Sequence, residues 1–201
     1  MMKRLLVTAV AAALVAPLAA EQQNAQKLFE RGAYAEAAAQ VQAEQAAGNN
    51  DPAAAYLAGL AFDKLDRHQD ARSEFARLTS GNDQTWHAIG QSAIALLDNA
   101  LDEAVSEGQR ARDLSGESGF AYYQLGLAHL RRNEFKDASQ ALDRAAELMP
   151  EFAYAHYYAG VAHQREKRFS PMAEHFQAFL RLAPDAPEKR QVQLALSALK
   201  G

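Results

Sequence analysis

Pro150 and Pro184 stand 34 residues apart, and the segments leading to them share one spacing of small, aromatic and apolar residues. Shifting the chain by that interval lays Gly126 over Gly160, His129 over His163, Phe135 over Phe169 and Leu148 over Leu182. The first copy reads Tyr122-x-x-Leu125-Gly126-x-x-His129, then Ala138, Leu142, Ala145 and Pro150. The second reads His156-x-x-Ala159-Gly160-x-x-His163, then Met172, Phe176, Phe179 and Pro184. A period of this length marks a supersecondary unit that cannot bury its apolar face alone and is covered by the next copy. The chain is thereby confined to a stacked array.

The spacing has a physical reason. Gly59, Gly90, Gly126 and Gly160 are expected to let two helix backbones approach closely, and Phe62, His129 and His163 lie three residues on along the same helix face. Ala138 and Phe176, on the second helix of each pair, fill the groove between neighbouring units. Upstream, Ala55-x-x-Ala58-Gly59-x-x-Phe62 is followed by Ala71 and Phe75, and Trp86-x-x-Ile89-Gly90 opens a further unit closed by Leu101-Asp102-Glu103-Ala104 and Ala111. The halves of that third unit are out of frame by two residues, which predicts a longer inner turn around Asp98-Asn99. Gly108 stands where a bulky residue is expected and should weaken its helix by about 1 kcal/mol relative to Ala. Gly32-Ala33-Tyr34-Ala35-Glu36-Ala37 supplies the turn and second helix of a first unit, whose first helix is expected to begin near Glu21.

These motifs resemble the tetratricopeptide-repeat family over nearly all of residues 21–201. The resemblance implies an all-α fold, a right-handed α-solenoid of about five helix pairs at 21–51, 52–85, 86–118, 119–152 and 153–186. A capping helix is expected at 187–200, where Val192, Leu194, Ala195, Leu196 and Leu199 alternate with polar Lys189, Arg190, Gln193 and Ser197 at helical spacing.

Composition excludes several function classes. The net charge is −4, and no Lys/Arg run marks a phosphate-binding face, so no nucleic acid is expected as a partner. Residues 21–117 hold 16 acidic against 8 basic side chains, an imbalance that reads as solvated surface. There is no cysteine, hence no thiol nucleophile. No G-x-S-x-G, P-loop or G-x-G-x-x-G occurs, and no catalytic residues, enzyme activity or cofactor are expected. Of six histidines, His156 and His163 lie seven apart on one predicted helix, with His175 on its partner. No H-x-x-x-H or H-E-x-x-H spacing accompanies them, and His129 and His163 hold a packing place that the repeat gives to aromatics. No metal site is expected from spacing.

At the N-terminus, Lys3 and Arg4 precede an uncharged run from Leu5 to Ala20, closed by Leu18-Ala19-Ala20 before Glu21-Gln22-Gln23. This is the pattern of a cleaved secretory signal at 1–20, too short to span a bilayer comfortably. The mature chain is expected to begin at Glu21, free of a membrane anchor, and to reside in the periplasm of a bacterium.

On the first helix of each pair, a stripe beside the packing face should line the hollow of the superhelix. In the two most regular units it consists of Phe120, Tyr123 and Leu127, then Tyr154, Tyr157 and Val161. The stripe reads either as partly buried packing residues or as side chains free to bind a partner, an extended or helical segment of another envelope protein, and helical spacing beside the packing face favours the second. Co-chaperone members of the family clamp a C-terminal carboxylate with basic and Asn residues. The corresponding places here hold Tyr56, His87, Tyr123 and Tyr157, then Leu60, Gln91, Leu127 and Val161, so that activity is not carried over. The resemblance implies a scaffold or adaptor; the alternative is an envelope protein that binds a small ligand or glycan in the aromatic hollow.

Overall fold

The computed structural model describes residues 25–199, and every regular element among them is a helix. In chain order these are α1 (helical over 25–30), α2 (Tyr34–Ala46), α3 (Pro52–Lys64), α4 (His68–Ser80), α5 (Gln84–Leu97) and α6 (Leu101–Leu114). They continue with α7 (Gly119–Arg131), α8 (Phe135–Leu148), α9 (Ala153–Arg165), α10 (Phe169–Leu182) and α11 (Lys189–Ser197). The export signal expected at 1–20, and a helix start near Glu21, lie outside the described residues.

Local chemistry explains where the first helices begin. The Asp51 carboxylate accepts from the Ala53 N–H, with Pro52 in the first helical position. Asp83 accepts from Thr85 and Trp86, and the Ser118 hydroxyl from Ala121. Each satisfies backbone donors that a helix start leaves without an intrahelical partner.

The turns inside the pairs repeat one conformation. Gly32, Asp66, Asn99, Asn133 and Lys167 all have positive φ, between 56° and 83°. In each turn the next N–H reaches back five positions along the chain, as from Arg67 to the Phe62 carbonyl and from Ala100 to that of Ala95. This left-handed residue with its returning hydrogen bond is the Schellman ending of a helix.

The third unit obeys the same geometry, which corrects two expectations. Its inner turn occupies 98–100, no longer than 65–67, 132–134 or 166–168 in the other units. Counting back seven residues from the left-handed position reaches Gly59, Gly126 and Gly160 in the regular units, and Ser92 in the third. Gly90 faces the preceding unit instead, where an added Cβ would lie 2.8 Å from the Phe75 carbonyl oxygen. The two-residue mismatch is therefore absorbed before and within α5, which follows a short link at 81–83. Gly108 also has a packing role. A Cβ there would lie 3.1 Å from the Leu125 Cα, so the absent side chain is the space in which α7 lies against α6.

Successive helices pack on one another, and first helices also meet across units, α5 on α7 and α7 on α9. The larger of two apolar clusters among the described residues runs from Ala25 to Val192. Its continuity reflects closure of the array on itself. Phe29 of α1 packs edge-on against Tyr154 of α9, with ring centroids 4.9 Å apart. The Tyr34 and Tyr154 hydroxyls lie 3.0 Å apart, and Tyr154 donates to Glu188 at 2.8 Å. Lys64 donates to the other Glu188 oxygen at 3.0 Å. Pro187 seats on Gly32, where a Cβ would come within 2.5 Å of its ring. The segment before α11 thus reaches the first unit as well as following α10.

Candidate functional site

Closure changes what the predicted stripe can do. Tyr123 is 1% exposed, Tyr154 0% and Tyr157 9%, while Phe120, Leu127 and Val161 are half-buried. The expectation that these side chains stand free in an open hollow is corrected at the three tyrosines. Phe152, from the link between α8 and α9, enters the hollow and packs on Tyr123 at 5.2 Å and Phe120 at 6.1 Å. Tyr56 lies 5.6 Å from Phe120, which in turn lies 5.3 Å from Trp86. Aromatic rings from several units fill the hollow for each other, and such edge-to-face pairs add to area burial.

Tyr56, Gln124 and Ser92 satisfy one another within this core. The Tyr56 hydroxyl donates to Gln124 Oε1 at 2.6 Å, Gln124 Nε2 donates to the Ser92 hydroxyl at 3.1 Å, and Ser92 donates to the Ala104 carbonyl at 2.7 Å. Burial pushes the Tyr56 and Tyr123 phenols well above their ordinary pKa.

A cavity of about 330 Å³ opens beside the last turns of α3, α5 and α7. Leu60, Leu96, Leu97, Leu127 and Leu130 line it, with Asp63, His68 and Arg131 among its polar groups. All five leucines are half-buried and the three polar residues are exposed. Asp63 and His68 approach to 3.4 Å, and Arg131 donates to Asn99 Oδ1 at 3.5 Å. Leu127 is the one predicted residue among the cavity's lining; Phe120, Tyr123, Tyr154, Tyr157 and Val161 lie elsewhere. The signal that could have found the rest is register. With Ser92 in the glycine place, Leu60, Ala93 and Leu127 occupy equivalent positions in three units, and all three line the cavity.

The histidines divide by role. His129 and His163 are buried in the aromatic place of the repeat. His163 and His175, however, both face Asp143, which sequence spacing had not singled out, and the three offer ligand atoms within 4.8 Å of one another. They come from α9, α10 and α8, so no linear motif could announce them.

The family model for the tetratricopeptide repeat matches residues 119–152, the fourth helix pair. No curated protein matches the chain in sequence. Among solved structures, the chain is similar to TTC0263, a tetratricopeptide-repeat protein of Thermus thermophilus, at 16% identity and TM-score 0.63, covering 88% of this chain and 97% of that one. It is also similar to YrrB, at 20% identity and TM-score 0.50 over 90% and 91% of the two chains. The corresponding domain of Arabidopsis OM64 matches at 20% identity and TM-score 0.52, over 58% of this chain and 94% of that domain. Repeat spacing, left-handed turns and these likenesses agree: the chain carries a tetratricopeptide repeat at 119–152 and has the helical-array fold of tetratricopeptide-repeat proteins.

Proposed function

We propose that this chain is a non-catalytic scaffold of the bacterial cell envelope that holds a segment of another protein in the cavity between α3, α5 and α7. The observation that carries this reading is five half-buried leucines around about 330 Å³ of open space, in a hollow otherwise filled by the chain's own rings. Covering that apolar surface contributes roughly 25 cal/mol per Å². Asp63, His68 and Arg131 supply the few polar groups that orient a bound segment. The lining is mainly aliphatic, and its Phe75 and Tyr158 rings are buried and half-buried rather than the exposed faces on which a sugar stacks, which favours an apolar side chain as occupant. YrrB, similar in fold, is described as having an unusual peptide-binding site, and peptide docking by this architecture supports the reading.

Export is supported by the Lys3-Arg4 pair, the apolar run to Ala20 and its small-residue end. Among the described residues no helix is long and apolar enough to cross a membrane. The test is cross-linking in the native envelope, followed by identification of the captured protein and the intact mass of this chain. Leu127→Arg and Leu130→Arg should abolish capture while leaving Tm nearly unchanged. Capture undiminished by both substitutions would sink the docking site. Recovery with residues 1–20 retained would sink the cleaved signal, and stabilisation by a glycan without protein capture would favour the ligand-binding alternative.

A further inference from the structure

Three side chains of the kinds a transition metal takes converge between the fourth and fifth helix pairs. Asp143 belongs to α8, His163 to α9 and His175 to α10. Asp143 Oδ1 lies 2.9 Å from His163 Nε2 and 3.0 Å from His175 Nε2. Tetrahedral coordination with bonds of about 2.0–2.1 Å puts donors about 3.3 Å apart, so the cluster is already close to chelating dimensions.

The surrounding hydrogen bonds set the histidine tautomers. The Pro150 carbonyl can only accept, so His156 Nε2, 3.2 Å away, carries a proton. In the tautomer that carries its one ring proton on Nε2, His156 Nδ1 is an acceptor. His175 Nδ1, 3.1 Å from it, must therefore donate. His175 Nε2 faces the same Asp143 oxygen as His163 Nε2, so two imidazole nitrogens and one carboxylate converge on a single point. His163 is 0% exposed. Its Nδ1 has no hydrogen-bond partner, and Glu166 Oε1, equally unpartnered, lies 3.7 Å away. Metal-ligating histidines usually donate their second ring N–H to such a group, which orients the ring. Glu166 stands ready for His163, and His156 already serves His175.

We infer that Asp143, His163 and His175 form a binding site for one divalent transition-metal ion of the zinc class, with water completing its coordination. Asp143 and His175 are partly exposed, at 36% and 18% of their side chains, so an ion enters from solvent on their side. One repeat earlier, His129 meets Glu134 at 2.6 Å, but that carboxylate also pairs with Arg132 at 3.0 Å. There a fixed cation already neutralises the acid; at Asp143 the partners are imidazoles. The bound ion ties α8 of one unit to α9 and α10 of the next.

The test is titration of the purified protein, freed of any polyhistidine tag, with Zn²⁺ alone and with Co²⁺ as a spectroscopic substitute. One saturable site is expected, with Tm raised by about 5–10 °C at a free ion concentration about 100 times Kd. Co²⁺ should give the visible bands of a tetrahedral nitrogen–oxygen site, a readout that needs no variant. His163→Phe, which installs the ring that Phe62 supplies at the equivalent place, should fold and lose the site, as should Asp143→Asn. His156→Ala should weaken binding about 10–100-fold. Absence of the Co²⁺ bands, or a Zn²⁺ response undiminished in both His163→Phe and Asp143→Asn, would overturn the inference.

Discussion

Glu30 Oε1, on α1, accepts a hydrogen bond at 3.1 Å from the backbone N–H of Ala153, the first residue of α9, across 123 residues of chain. The residue before α9, Phe152, makes no side-chain cap and sends its ring into the core instead. A carboxylate from the first helix pair therefore caps a helix of the fifth, and its charge faces the positive end of that helix dipole. Glu30 is itself held by Gln26 and Lys27, each at 2.8 Å. Glu30→Ala should cost about 1–2 kcal/mol, lowering Tm by about 2–8 °C. Glu30→Gln, which keeps an acceptor, should lose less. Thermal melts of both variants decide it; an unchanged melt for Glu30→Ala would remove the cap from the account.

The second closing contact joins Lys64 to Glu188. Burial disfavours the Lys64 charge, but the nearby Tyr158 and Glu188 outweigh it and hold the ammonium above the usual lysine pKa. Glu188→Ala strands that charge and removes an acceptor from Tyr154. A double-mutant cycle with Lys64→Met and Glu188→Gln should show a coupling of about 1–3 kcal/mol. Additive losses would mean the pair is incidental.

Truncation before Pro184 should do more, because it removes Pro187 from Gly32, Glu188 from Lys64 and the buried Val192 together. Hydrogen exchange in α1 and α2 should then accelerate at the far end of the chain from the cut. Exchange changed only in α10 would show that the segment merely caps its neighbour.

Alkaline pH should open the hollow. Burial pushes the Tyr157 phenol from its ordinary 10.0 up to about 12, and raises Tyr56, Tyr123 and Tyr154 as well. A pKa raised in the fold favours the protonated form there. The contribution is therefore complete below pH about 10 and is lost as pH rises toward the folded value. Melting temperature should fall steeply from pH about 10 upward, with phenolate absorbance lagging that of free tyrosine. Normal titration of all seven tyrosines in the folded state would contradict the closed core.

Stability and docking should separate by residue. Tyr123→Ala removes a buried ring and should cost about 3–5 kcal/mol of stability. Leu127→Arg, at the wall of the cavity, should spare the fold and abolish partner capture. Paired measurements of Tm and cross-linked partner on the two variants distinguish a core residue from a docking one. A normal melt for Tyr123→Ala would return that tyrosine to the candidate surface.

Much of the fold was legible because it depends on contacts between close neighbours in sequence. Gly126 faces Leu142 and Gly160 faces Phe176, so the spacing of small and bulky residues reports the pairing of adjacent helices. The third unit was misread because Gly90 looked like the close-approach residue while Ser92 held that place. A serine keeps the side chain small and adds a hydroxyl that Gln124 and Ala104 engage, contacts that no local pattern displays.

The sequence by itself determined the period, the helix pairs and the stripe of each helix that faces inward, since these follow from interactions within one or two repeats. Only the tertiary structure decided whether the hollow was open. That outcome depends on curvature accumulated from small rotations between successive units, and it is registered by pairs such as Tyr34 with Tyr154, 120 residues apart. Packing of three successive helices, rather than any linear spacing, joins Asp143 to His163 and His175 and sets Leu127 beside a cavity. A stripe of aromatics reads alike whether it awaits a partner or meets its own chain, because helical spacing specifies direction but not what stands opposite.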